Sequence, residues 1–187
     1  MFESRRRHHP SKPDKMLLTR FIASILLSIF AGTVVAQAGI PFDTFVVGLR
    51  PVCATSPSPD CASAIGSFLD SNANGGVEIA EVKRARDRAK RSVRNNNSSL
   101  NSIERSMISV ALMVFQHAGI RKVFANFDTD ADGSLSQSEL FADFRLDQRP
   151  FKDVIADPKG VDWKSFAARF GKVGFLITDL LPPSHRQ

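Results

Sequence analysis

Residues 128–139 read D-T-D-A-D-G-S-L-S-Q-S-E. Asp128, Asp130 and Asp132 alternate, Gly133 follows, and Glu139 arrives where an apolar helical pattern resumes with Leu140, Phe141 and Phe144. Alternating short carboxylates repel one another unless a cation sits among them. A hard cation such as calcium takes six to eight oxygens at about 2.3–2.6 Å from a loop able to wrap it. Asp128, Asp130 and Asp132 supply side-chain oxygens, Ser134 a backbone carbonyl, Ser136 a hold on a bridging water, and Glu139 two closing oxygens. Gly133 permits the bend that brings the chain back. Leu135 is expected to face inward and anchor the loop on a neighbour.

A second stretch, D-S-N-A-N-G-G-V-E-I-A-E at residues 70–81, repeats the spacing with softer groups. Asp70 opens it, Asn72 and Asn74 offer amide oxygens, and Gly75 bends. Gly76 gives a carbonyl, Val77 takes the inward position, Glu78 the water-bridging one, and Glu81 closes. It carries three carboxylates against four in the other loop, so weaker cation binding is expected. Gly76 adds chain entropy that ordering must overcome.

Both stretches resemble the calcium loops of the EF-hand family, in its calmodulin-like form. The resemblance implies an all-α fold of helix-loop-helix units holding two calcium ions, with magnesium as a competitor. It places one hand at 60–94 and a second, preceded by a long helix, at 100–146. Hands of this family pair through their inward residues, yet Asp70 and Asp128 lie farther apart than adjacent hands do. G-V-D-W-K-S-F at 160–166 looks like the back half of a degenerate hand, with Ser165 where a closing Glu belongs and no front ligands. The expected arrangement pairs this unit, within a C-terminal helical region at 147–181, with the second loop. The other arrangement joins Val77 to Leu135 directly and treats the Leu100–Gly119 helix as an insertion.

Outside the loops, periodicity predicts helices. One starts near Asp60 or Ser63, with Ala64, Ile65, Phe68 and Leu69 on its apolar side. The next carries Ile79, Val82, Ala85, Ala89 and Val93 on one stripe and ends at N-N-N-S-S, 95–99, with Ser98 or Ser99 capping the helix after it. Leu100 to Phe127 is helical with an interruption near Gly119. Ile103, Met107, Val110, Val114 and His117 fall on one face, His117 as a buried, satisfied core residue. Residues 39–59, with Pro41, Pro51, Pro57 and Pro59, read as an extended lead-in. Trp163 and the 15 Phe read as core, although Met107 and Met113 suit an apolar groove.

The beginning of the chain has an export pattern. Arg5, Arg6, Arg7, Lys12, Lys15 and Arg20 precede a charge-free run from Phe21 to Val35, and Ala36-Gln37-Ala38 follows. Basic start, short apolar centre and small-residue exit make residues 1–38 a candidate signal peptide. Met1 or Met16 serves as the start. Cleavage near Ala38 predicts a periplasmic or secreted protein; retention of the segment predicts a membrane anchor. The formal charge of +6 is then mostly targeting information, and residues 39–187 are nearly balanced. Cys53 and Cys61, separated by T-S-P-S-P-D-containing sequence, either bridge in an oxidising compartment or stand as separate thiols. Too few in number, they do not suit zinc.

Local charge remains in Lys83, Arg84, Arg86, Arg88, Lys90, Arg91 and Arg94, opposed by Asp87 alone. This run reads either as the solvated outside of a helix beside an acidic loop or as a weak contact for anionic membrane or polyanion. No aromatic residues interleave it, which argues against nucleic acid. No G-x-S-x-G, H-E-x-x-H, phosphate loop or G-x-G-x-x-G occurs, so no enzyme is expected. The sequence thus points to an exported calcium-ion-binding protein that responds to calcium by binding a protein partner. The alternative is a structural or buffering module without partner switching.

Overall fold

A computed structural model describes residues 40–180. The expected export segment at residues 1–38, its expected cleavage near Ala38 and the Pro182-Pro183 tail lie outside the described residues. The described chain is mostly helical, with one small two-stranded sheet. No single described helix is long and apolar enough to cross a membrane.

The expected lead-in is a helix. Helix α1 spans Phe42–Thr55 and α2 spans Ser58–Leu69. The prolines mislead because most of them sit where a missing N–H costs nothing: Pro41 and Pro57 are N-caps and Pro59 lies in the first turn. Of these four, Pro51 alone lies in a helix interior beyond the first turn. Packing holds α1 despite it, since Phe45 stacks on Phe68 at 3.7 Å and Phe42 meets the same ring edge-on at 6.0 Å. The Cys53–Cys61 disulfide ties the end of α1 to the start of α2, with the Cα atoms 4.9 Å apart.

Strand β1, Val77–Glu78, leads directly into α3, Ile79–Arg94. A short turn separates α3 from α4, Ser102–Ala118. Its cap is Asn101, rather than Ser98 or Ser99. Asn101 Oδ1 accepts from the Glu104 amide while Glu104 Oε2 accepts from the Asn101 amide, both at 2.9 Å. Ser98 and Ser99 work elsewhere, on Leu100 and Asp43. Helix α5, Ile120–Phe127, departs from α4 at 91° across Gly119, the predicted interruption.

That bend turns the second loop back onto the first. Strand β2, Ser134–Leu135, pairs antiparallel with β1, Val77 opposite Leu135 and Glu78 opposite Ser134. The pairing of the second loop with a degenerate third unit is therefore overturned, and the two acidic loops meet directly. Val77 and Leu135 are buried with Val114, Val123, Phe124, Phe127 and Phe170 in one core.

The exit helix from the second loop does not reach Phe144 as expected: α6 ends after Gln137–Leu140. The chain then turns so that Phe144 forms an antiparallel bridge with Val161 and packs against Phe151, Trp163 and Phe166. Aromatic burial here outweighs continuation of the helix. Helices α7, Phe151–Ala156, and α8, Trp163–Ala168, lie in the expected C-terminal helical region, joined by a short loop. Their loop is occupied by residues 143–145: Asp162 N–H donates to Asp143 O and Arg145 N–H to Gly160 O, both at 2.8 Å. A 3₁₀ turn, Gly171–Val173, and α9, Phe175–Leu180, end the described chain.

The long-range fastening is polar as well. Buried Ser58 donates its hydroxyl to Asp147 O and accepts from the Asp147 amide, each at 2.8 Å. Arg149 bridges Asp147 and Asp157, each at 2.8 Å. His117 is exposed, not buried, because the core takes Val114 and Phe115 from the inner side of α4. Ile103, Met107 and Met113 on the same helix are also exposed.

Candidate metal centre

The two acidic loops fold by the same local rules. Each follows a helix whose C-cap is an aspartate, Asp70 or Asp128. Each then places an alanine and a glycine in the left-handed region, Ala73 at φ 56° with Gly75 at 94°, and Ala131 at 57° with Gly133 at 86°. Glycine takes such angles at no steric cost, and they set the tight reversal. The opening aspartates accept backbone N–H groups across it. Asp70 Oδ2 takes Gly75 N–H at 2.9 Å and Asp128 Oδ2 takes Gly133 N–H at 3.1 Å.

The closing glutamates are buried in equivalent cradles. Glu81 Oε1 accepts from the Ser71 amide at 2.7 Å, the Ser71 hydroxyl at 2.8 Å and the Asn72 amide at 3.1 Å, and Oε2 from the Glu78 amide at 3.0 Å. Glu139 Oε1 accepts from the Thr129 amide at 2.7 Å and hydroxyl at 2.9 Å, and Oε2 from the Ser136 amide and hydroxyl at 2.9 Å. Donors aimed at a carboxylate favour its charged form. The Ser136 amide, opposed by burial and supported by the Thr129 amide and the two hydroxyls, holds Glu139 down to about 2. For Glu81 burial is the largest influence and raises it, but the Glu78, Ser71 and Asn72 donors together keep it below the ordinary value.

In the second loop, Asp128, Asp130 and Glu139 bring carboxylate oxygens within 4.8 Å of one another. Asp128 Oδ1 is buried without a hydrogen-bond partner among the described residues. A bare, buried carboxylate oxygen beside two others is the donor set that a hard cation fits. Asp132 stands outside this triad, with its Oδ1 accepting from the Ser134 amide at 2.8 Å. Ser136, expected to hold a water, is the N-cap of α6: its hydroxyl accepts from the Glu139 amide and reaches Glu139 Oε2.

The first loop brings together fewer charges. Asn72 stands in the place of Asp130, so Asp70 and Glu81 have no third carboxylate between them. Asn74 donates its side-chain amide to Glu78 Oε1 at 3.0 Å, which engages the residue expected to bridge a water. Gly76 has a steric reason invisible in the sequence: a Cβ there would collide with the Ser134 hydroxyl across the strand pair. Ser71 and Thr129, second in each loop, hold the closing glutamates, a role that sequence reasoning misses. Their signal is a hydroxyl residue at the same place in both repeats.

The arrangement can gather oxygens around a cation, and its strongest charge lies in the second loop. The chain matches no protein-family model, no curated protein and no solved structure, so the centre is read from its own residues.

Proposed function

We propose that the chain is an exported calcium-binding protein built on two EF-hand-type loops, and that it responds to calcium by binding a protein partner. The observation that carries the proposal is the cluster of Asp128, Asp130 and Glu139 around the unpartnered Asp128 Oδ1. Asp128, Asp130, Asp132, Glu139 and the Ser134 carbonyl would hold the second ion. Asp70, Asn72, Asn74, Glu81 and the Gly76 carbonyl would hold a first, weaker one. A bound ion supplies charge that neutralises the loop carboxylates and fixes the glutamates that begin α3 and α6. Export is supported by the pattern of residues 1–38 and by the Cys53–Cys61 bridge, which an oxidising compartment preserves.

Exposed Ile103, Met107 and Met113 on α4 support a partner-binding role. A second reading, a calcium-stabilised structural or buffering module, draws on the strand pair that already joins the loops through buried Val77 and Leu135. Isothermal titration of the full chain with calcium and with magnesium tests the proposal; heat of binding for calcium is expected, and none at millimolar calcium refutes it. Apolar-dye fluorescence separates the two readings, since only partner switching requires a calcium-dependent rise.

A further inference from the structure

The two closing glutamates share a cradle but not a neighbour. Arg84, on α3 one turn beyond Glu81, donates from Nη2 to Ser71 Oγ at 3.1 Å and lies 3.4 Å from Glu81 Oε1. Its side chain is 50% exposed, whereas that of Glu81 is fully buried. The corresponding position in the second loop, three residues beyond Glu139, is Ala142, which is exposed and carries no charge. Among the described residues, Glu139 thus has the Thr129 and Ser136 donors and no ion pair with a guanidinium.

We propose that Arg84 is a built-in counter-cation that lowers the affinity of the Asp70–Glu81 loop for divalent cations, so that this loop fills at a higher concentration than the Asp128–Glu139 loop. The inference rests on the calcium-loop reading and goes beyond it by naming the residue that separates the two thresholds. Two effects act in the same direction. The guanidinium forms an ion pair, at 3.4 Å, with the Glu81 oxygen that a cation would need. Its positive charge also repels a doubly charged ion held between Asp70 and Glu81. Arg84 is partly in solvent, so the effect weakens as salt screens it. The count of carboxylates alone makes the first loop weaker at any ionic strength; Arg84 makes part of that weakness salt-dependent.

Calcium titration calorimetry on the full chain tests this. In a Glu139→Gln background, which leaves the first loop as the main site, Arg84→Gln is expected to tighten calcium binding about tenfold at low salt and about threefold near physiological ionic strength. Arg84→Lys retains a cation at that position and is expected to stay near the parent affinity. The reciprocal Ala142→Arg is expected to weaken the second loop, and Ala142 is exposed enough to accept it. If Glu139→Gln does not fold, the two-site isotherm of Arg84→Gln alone gives the same comparison. First-loop affinity that is unchanged or weaker in Arg84→Gln overturns the proposal while leaving calcium binding intact. A wild-type chain that takes up no calcium overturns the calcium reading and the role of Arg84 together.

Discussion

Arg169 Nε lies 2.6 Å from Asp143 Oδ2, and the same guanidinium sits 4.8 Å from the centre of the Phe127 ring. Its Nη1 donates to Asn126 O at 3.1 Å, and Asn126 returns a bond to Arg169 O at 2.6 Å. One side chain on the C-terminal side of α8 therefore holds both the residues that enter the second acidic loop and the segment that leaves it. The pair is nearly dry, with 14% and 7% of the two side chains exposed.

Removing one partner of such a pair leaves a charge buried without compensation. Arg169→Ala is expected to cost about 3 kcal/mol in urea unfolding. Arg169→Lys keeps the charge but loses the planar fork and its contact with Phe127, so it should recover only part of that loss. A cost for Arg169→Ala within the range of ordinary surface substitutions, about 0.5 kcal/mol, would show that the pair is not a fastening.

Calcium-dependent stability should depend more on Glu139 than on Glu81. Binding restricted to the folded form adds RT ln(1 + [L]/Kd), so a hundredfold loss of affinity removes up to about 2.7 kcal/mol. Glu139→Gln is expected to approach that loss at millimolar calcium, and Glu81→Gln to lose less. Melting temperatures with calcium and with chelator decide it; a full calcium shift in Glu139→Gln with none in Glu81→Gln reverses the ranking.

The loops are legible in the sequence because their chemistry is local. Carboxylates and amides at fixed spacing, a glycine at each bend and a glutamate at each helix start are all short-range signals. The partner of each loop is not legible, because it depends on a 91° change of direction at Gly119 and on residues 143–145 taking the loop between α7 and α8. Periodicity sees neither. The proline-rich stretch is opaque for a different reason: residue type alone does not tell an N-cap proline from a helix breaker, and the Phe45–Phe68 stack that settles it is a tertiary contact. His117 falls on the predicted face of α4, but that face is only partly covered.

Reduction should loosen the N-terminal helices. Closing the short loop between Cys53 and Cys61 contributes roughly 2–3 kcal/mol in the chain-entropy model. Dithiothreitol, or the double substitution of both cysteines by serine, is expected to lower the melting temperature accordingly. Thiol titration of the unreduced, denatured protein should find no free cysteine, and two reactive thiols per chain would contradict the bridge.

Acid should act through Glu139 in chelator-treated protein. Its folded-state value, about 2 against an ordinary 4.5, means that its ionised form is favoured in the native state. The stability this adds is fully present above the ordinary value and disappears as pH falls from about 4.5 towards about 2. Wild type should therefore lose its advantage over Glu139→Gln across that window, followed by the urea midpoint at successive pH values. A constant difference between the two proteins down to pH 2 would refute the assignment.

The reciprocal bonds between Ser58 and Asp147 span 89 residues of sequence, and Pro57 bridges Pro150 beside them. Contacts of such separation carry the full entropy of loop closure before they return any stabilisation. During synthesis the first two helices can form early, yet their polar anchor does not exist until the chain beyond Arg149 has been made. A ribosome-bound chain stopped short of that point carries both acidic loops without the clasp between Ser58 and Asp147 that ties the start of α2 to the segment beyond them.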